Sequence, residues 1–175
     1  MLNEKVLNAI QSLDYSNRPF SEITDKLYWE DVMAIMEMNE YEQEEEIVDA
    51  LPQHIRLVYL LIWMQTTIMN DSFLSVFYNH SLFEIKRFIE VMKADGFSDL
   101  SELIKKALQI ILSKFPLPHE ESHTFMQDTD AQPDDFFGDD ICEQIEAIEE
   151  EIEDLYNDDD FWERVEVVWN SLQSK

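Results

Sequence analysis

Glycine occurs only twice in this chain, at Gly96 and Gly138, where average usage, about 7%, would place roughly a dozen. Tight hairpin turns draw on residues that tolerate positive φ, glycine above all. A chain of 175 residues with two glycines is therefore poor material for a sheet and good material for helices. Hydrophobic residues make up 45% and aromatics 12%, enough to bury a sizeable core in one domain, or in one domain with an appendage.

Apolar spacing agrees with helices along most of the length. Leu2, Val6, Ile10 and Leu13 recur at helical intervals before NRPF interrupts them. Ser21 is placed to cap a second helix carrying Leu27, Tyr28, Val32, Ile35 and Met36. Pro52 opens a third that is apolar on most sides, around Leu57, Leu60, Leu61 and Met64. SLFEIKRFIEVMKADGF predicts a helix stopped by Gly96 in the position after the cap, and SDLSELIKKALQIILSKF repeats the pattern. Residues 116–140 hold three prolines and little periodicity and read as an acidic loop, followed by helices over roughly 140–156 and 159–172. The expectation is an all-α, compact domain of about seven or eight helices with acidic outer faces. It comprises a helical core over 1–115, the loop over 116–140, and C-terminal acidic helices over 141–175 packed on the same domain.

Charge is the anomaly. The chain carries 39 acidic and 12 basic residues, a net of −27, and self-repulsion of that size opposes compaction. It is also uneven. Residues 119–175 hold 20 acids and two bases, a net of −18, against 19 acids and ten bases, a net of −9, over residues 1–118. Such a surface repels nucleic acid and anionic lipid, leaving basic proteins or cations as partners. The single cysteine, Cys142, excludes an intramolecular disulfide, and the start of the chain lacks a signal-peptide pattern. The longest apolar run, LVYLLIWM, is eight residues, far below the ~20 that span a bilayer. A soluble, cytoplasmic protein is expected.

ICEQIEAIEEEIEDLYNDDD, residues 141–160, carries ten acids and no base. At about 100° per residue, Ile141, Ile145, Ile148, Ile152 and Leu155 fall on one stripe. Glu143, Glu146, Glu149, Glu150, Glu151, Glu153 and Asp154 fall on the other faces. A solvated tail has no reason to keep that spacing, so the charge is displayed on a packed helix. Any surface helix needs a polar face, but a merely soluble one mixes lysine with glutamate. Here Lys114 and Arg164 bracket 49 residues with 19 acids and no base. Seven carboxylates over 12 residues is one per roughly 2.5 Å of helix at 1.5 Å rise, comparable with one per ~1.7 Å along duplex DNA. A second acidic window, Glu30, Asp31, Glu37, Glu40, Glu42, Glu44, Glu45, Glu46 and Asp49, lies between Lys26 and Arg56.

The segment MQTTIMNDSFLSVFYNHSLFEIKRFIEVMKADGFSDLSELIKKALQIIL resembles the motif region of the bacterial all-helical DNA-mimic protein family of the Neisseria type. The family's Asn-Gly-Gly-Phe step, aromatic pair and Asn appear here as Asn70, Asp71, Ser72, Phe73, then Phe77, Tyr78 and Asn79, with both glycines replaced. The motif covers roughly residues 45–115, and MLNEK, SLDYSNRPFSEIT and the acidic C-terminal part extend the likeness along the chain. The resemblance implies a helical homodimer whose acidic face imitates double-stranded DNA and occupies the DNA-binding surface of a helix-turn-helix repressor. Phe73, Phe77 and Tyr78 read as core aromatics rather than contacts.

Other chemistry is weaker. His119-Glu120-Glu121-Ser122-His123 fits HExxH, in which two histidines hold zinc and the glutamate is general base, but it follows PLP and lacks the apolar neighbours of a packed helix. Counting an EF-hand from Asp128 puts Pro133 where glycine and Asp139 where glutamate are required. Cys142, among carboxylates, should be an unreactive thiol with a raised pKa. His54 and His80 read as structural.

The reading is a non-enzymatic inhibitor with no cofactor or metal, and with neither nucleic acid nor membrane as its target, that competes with DNA for a DNA-binding protein. Expected contacts are Glu143, Glu146, Glu149, Glu150, Glu153, Asp154, Asp158, Asp159 and Asp160, then Glu30, Asp31, Glu37, Glu40, Glu44 and Glu45. The alternatives are an acidic chaperone or immunity-type binder that does not copy DNA, a zinc hydrolase through HEESH, and a halophilic surface.

Overall fold

The computed structural model describes residues 2–15, 18–24, 26–39, 43–70, 72–115 and 132–173. These residues form an all-α structure, with no strand among them. They contain ten α-helices, one 3₁₀ turn and one π-helix. The excess over seven or eight consists of short pieces that periodicity does not resolve. The chain divides into two compact units, Met1–Trp63 with Glu163–Lys175, and Met64–Trp162. Among the described residues no helix is long and apolar enough to cross a membrane.

In the first unit, α1 (Glu4–Gln11) begins where the Asn3 side chain accepts a hydrogen bond from the Val6 N–H at 2.9 Å. Ser21 does not cap a helix as expected. It lies inside a 3₁₀ turn, Phe20–Glu22, that starts at Pro19. The buried Phe20 ring, against Trp169 at 5.9 Å, holds the chain in that tighter turn. A π-helix (Lys26–Val32) then leads directly into α2 (Met33–Met38), and α3 (Glu44–Ala50) follows. α4 (Gln53–Asn70) starts on Pro52, whose carbonyl accepts from the Arg56 N–H. Its residues Leu57 to Ile62 are all buried, as expected of a helix apolar on most sides. α10 (Asp159–Gln173) contributes Val165 and Trp169 to this core. Trp169 is met edge-on by Tyr15 and by His54, which gives His54 the structural place expected of it.

In the second unit, α5 (Phe73–Asn79) carries the motif aromatics. Phe73, Phe77 and Tyr78 are all buried. Ser72, standing where the family has glycine, has φ −172 and accepts a hydrogen bond from the Ser75 N–H. That extended backbone suits any residue, so the replacement gives the helix a side-chain cap without strain. α6 (Leu82–Ala94) opens with a Ser81–Glu84 capping box. It closes on Gly96, φ 93, with Phe97 N–H donating to the Met92 carbonyl at 2.8 Å and Gly96 N–H to the Lys93 carbonyl at 3.5 Å. This is the paired-bond ending that glycine permits. α7 (Ser98–Lys114) packs on α6, tied by the Ser101 hydroxyl donating to the Ile89 carbonyl.

The described end of the expected loop is not a loop. Pro133–Phe137 forms α8, and α9 (Asp139–Asn157) follows at once. Tertiary contact accounts for this: Phe136 and Phe137 each pack against Tyr78 and Phe115, at 5.2 to 6.2 Å between ring centroids. An aromatic cluster, not a periodic pattern, orders the segment.

Candidate partner-binding surface

The acidic face of α9 exists because its opposite face is apolar. Ile141, Ile145, Ile148 and Ile152 are at most 1% exposed, and α9 packs against α5, α7 and α8. Leu155 is half-buried and Tyr156 completes the stripe. With the helix held by that seam, Glu143, Glu146, Glu150, Glu151, Glu153 and Asp154 are turned to solvent. Glu151 belongs to this exposed set as fully as its neighbours.

Glu149 behaves differently. It is half-buried, and its Oε1 accepts a hydrogen bond from the Phe73 backbone N–H at 2.7 Å. That N–H is one of the unpaired donors at the start of α5. Burial raises the Glu149 pKa above its ordinary value of 4.5, the Phe73 hydrogen bond works against the rise, and the carboxylates of Glu153, Asp134 and Glu146 add to it. Its carboxylate is engaged in joining α9 to the motif turn.

Removing Glu149 from the seven leaves six outward carboxylates over the same 12 residues. At 1.5 Å per residue this averages one charge per roughly 3 Å of helix axis, between the ~1.7 Å per charge of the DNA duplex axis and the ~3.4 Å of a single strand. Asp158, Asp159 and Asp160 are also exposed. They carry a local role too: the Asp158 Oδ1 accepts from the Asp160 N–H at 3.0 Å, and acids in the first turn of α10 complement its dipole.

The surface next to this ridge is indented. Asp154, Asp158 and Glu151 line a hollow of about 440 Å³ with Asp99 and Leu103 of α7. On the other flank Asp134, Asp139, Glu143, Glu146 and Glu149 surround one of about 320 Å³ floored by Leu74 and Ile145. Cys142 lines this second hollow, and burial, then Asp134, Asp139 and Asp135, push its thiol pKa up. The carboxylate effect was legible in the sequence; burial, the larger cause, was not.

In the other unit the acids are less uniform. Glu30, Glu37, Glu44 and Glu45 are exposed, while Glu40 lies outside the described residues. Asp31 is half-buried: it accepts from Lys26 Nζ at 2.7 and 2.8 Å and from the Tyr15 hydroxyl at 2.7 Å. Its charge is matched within the fold, and Lys26 also reaches Glu30 at 3.4 Å. Asp31 pins the π-helix to the segment after α1. Two features escaped the sequence reading: Trp29, 55% exposed on the π-helix, and Met69, 72% exposed near the end of α4. Neither was among the apolar positions assigned to the core of its helix, and spacing alone gives no sign that a large apolar side chain stays at the surface.

The HEESH stretch, with His119, Glu120 and His123, lies outside the described residues. Among the described residues no three histidine, cysteine or acidic side chains converge as metal ligands would.

Residues 49–169 match the family model described as DMP19-like protein. That span contains α9 and the step from Asn70 to Asn79, and leaves out Glu30, Asp31, Glu37, Glu40, Glu44 and Glu45. No curated protein and no solved structure matches the chain.

Proposed function

Because the chain belongs to the DMP19-like protein family, the family of the Neisserial DNA mimic, we propose that it is a DNA mimic. In this reading it covers the DNA-binding surface of a helix-turn-helix repressor and keeps that protein from its operator. It acts in the cytoplasm, as a homodimer and without catalysis.

The observation that supports this most directly is the ridge of six exposed carboxylates on α9, held rigid by a buried isoleucine seam. A DNA-binding surface presents lysine and arginine to a dense array of phosphates, and a helix face with a comparable density of carboxylates is complementary to it in charge. Contact falls to Glu143, Glu146, Glu150, Glu151, Glu153 and Asp154, with Asp158, Asp159 and Asp160 continuing the row. Glu30, Glu37, Glu44 and Glu45 form a secondary set. Glu149 and Asp31 serve mainly to position the elements that carry the others.

The deciding experiment is capture of partners from the source cells at low salt, followed by operator DNA competition on each protein that elutes. Mimicry requires that this protein displace the operator from a captured DNA-binding protein. A ternary complex of protein, partner and operator would instead identify a basic-protein binder that does not copy DNA.

A further inference from the structure

A row of charges explains affinity for a DNA-binding surface but not discrimination among such surfaces. Phosphate contacts position a protein on DNA, while base edges, with their donors, acceptors and methyl groups, carry the sequence information. A mimic that offered only carboxylates would bind basic proteins indiscriminately.

Beside the ridge, the end of α4 and the end of α9 form a separate cavity of about 220 Å³ lined by Gln65, Ile68, Met69, Glu153, Tyr156 and Asn157. Ile68 and Tyr156, each 5% exposed, belong to its apolar part, while Met69 is 72% exposed. Gln65 and Asn157 each bring a carboxamide, with both donor and acceptor. Glu153 is one of the outward carboxylates of α9. The cavity is smaller than the roughly 300–1,000 Å³ of pockets that take drug-sized ligands, so it suits one long side chain. A carboxylate, two carboxamide oxygens and a thioether together match arginine, whose planar fork donates five N–H groups and whose stem is apolar.

We infer that this cavity is the mimic's counterpart of a base edge, receiving an arginine from the base-reading surface of the partner. Arginine on guanine is the commonest specific base contact, and the charge of Glu153 draws the same side chain here. The inference rests on the proposed DNA mimicry and adds a specificity element to it.

The test uses the full chain with methyl-labelled methionine and two defined probes: an alanine-based helical peptide carrying one arginine between two lysines, and the same peptide with lysine in place of the arginine. The arginine peptide should shift the Met69 methyl signal, assigned through Met69→Leu, and bind about tenfold more tightly than the lysine peptide. In a Gln65→Ala, Met69→Ser double variant the two peptides should bind equally. Equal binding of both peptides to the unmodified protein, or an unmoved Met69 methyl, overturns the inference. So does a fall in oligomeric mass for Met69→Ser by light scattering, which would assign the cavity to a second copy of the chain. Failure of mimicry itself is read separately, as absence of operator displacement by the unmodified protein.

Discussion

Glu149 and Glu150 are adjacent glutamates on one helix, and the fold gives them different work. Glu150 is exposed, whereas Glu149 is half-buried and accepts from the Phe73 N–H. Because burial and then neighbouring carboxylates raise the Glu149 pKa above 4.5, its contribution to stability is fully present below about that value and is lost as pH rises through its folded-state pKa. Burial lowers the pKa of His54 and of His80, with Glu84 opposing it at His80, so these histidines act in the opposite sense as pH falls. Comparison with Glu149→Gln cancels them, since both proteins carry both histidines. The stability of the unmodified protein relative to Glu149→Gln should therefore increase as pH falls from 7 to 4.5 in urea unfolding; a constant or falling difference would refute the assignment.

α9 sets stability against charge display within one helix. Glu146 and Glu150 are like charges four residues apart and both exposed, an arrangement that costs an isolated helix about 0.2–0.5 kcal/mol. Replacing both by glutamine should raise the urea midpoint slightly while weakening capture of the DNA-binding partner. Loss of stability together with binding would mean that the face is structural. On the opposite side, Ile148 is 1% exposed, and Ile148→Ala should cost about 2–5 kcal/mol through the cavity it leaves. At the end of α6 the issue is backbone alone. Gly96 has φ 93 and an added Cβ would meet nothing within 4 Å, so Gly96→Ala should cost about 1–2 kcal/mol of left-handed strain, with no clash. A neutral result in urea unfolding would show that the turn relaxes.

For the molecule as a whole, a net charge of −27 predicts two salt effects of opposite sign. Screening relieves self-repulsion within the fold, so the melting temperature should rise between 10 and 150 mM salt, taking the Debye length from about 30 to about 8 Å. The same screening should weaken the complex with the DNA-binding partner, as salt weakens that partner's complex with DNA. Titration of binding against salt by fluorescence anisotropy would check this. Binding that held steady across the range would point to a contact dominated by apolar surface rather than by the ridge.

Periodicity and glycine placement are local properties, and each was legible from a few neighbouring residues; capping was not, since Ser21 lies inside a 3₁₀ turn and the caps fall to Asn3, Ser72 and Ser81. The isoleucine stripe of α9, the Gly96 ending of α6, the enclosed middle of α4 and the buried Phe73, Phe77 and Tyr78 needed no knowledge of distant partners. What a single helix cannot specify is which carboxylate on its polar faces meets another part of the chain. Glu149 is separated from Phe73 by 76 residues, Asp31 from Tyr15 by 16, and α8 is ordered by rings on Tyr78 and Phe115. Hydrophobic spacing fixes a helix's orientation because burial acts on the whole stripe. The fate of each acid turns on one contact, and that contact exists only once the chain has folded.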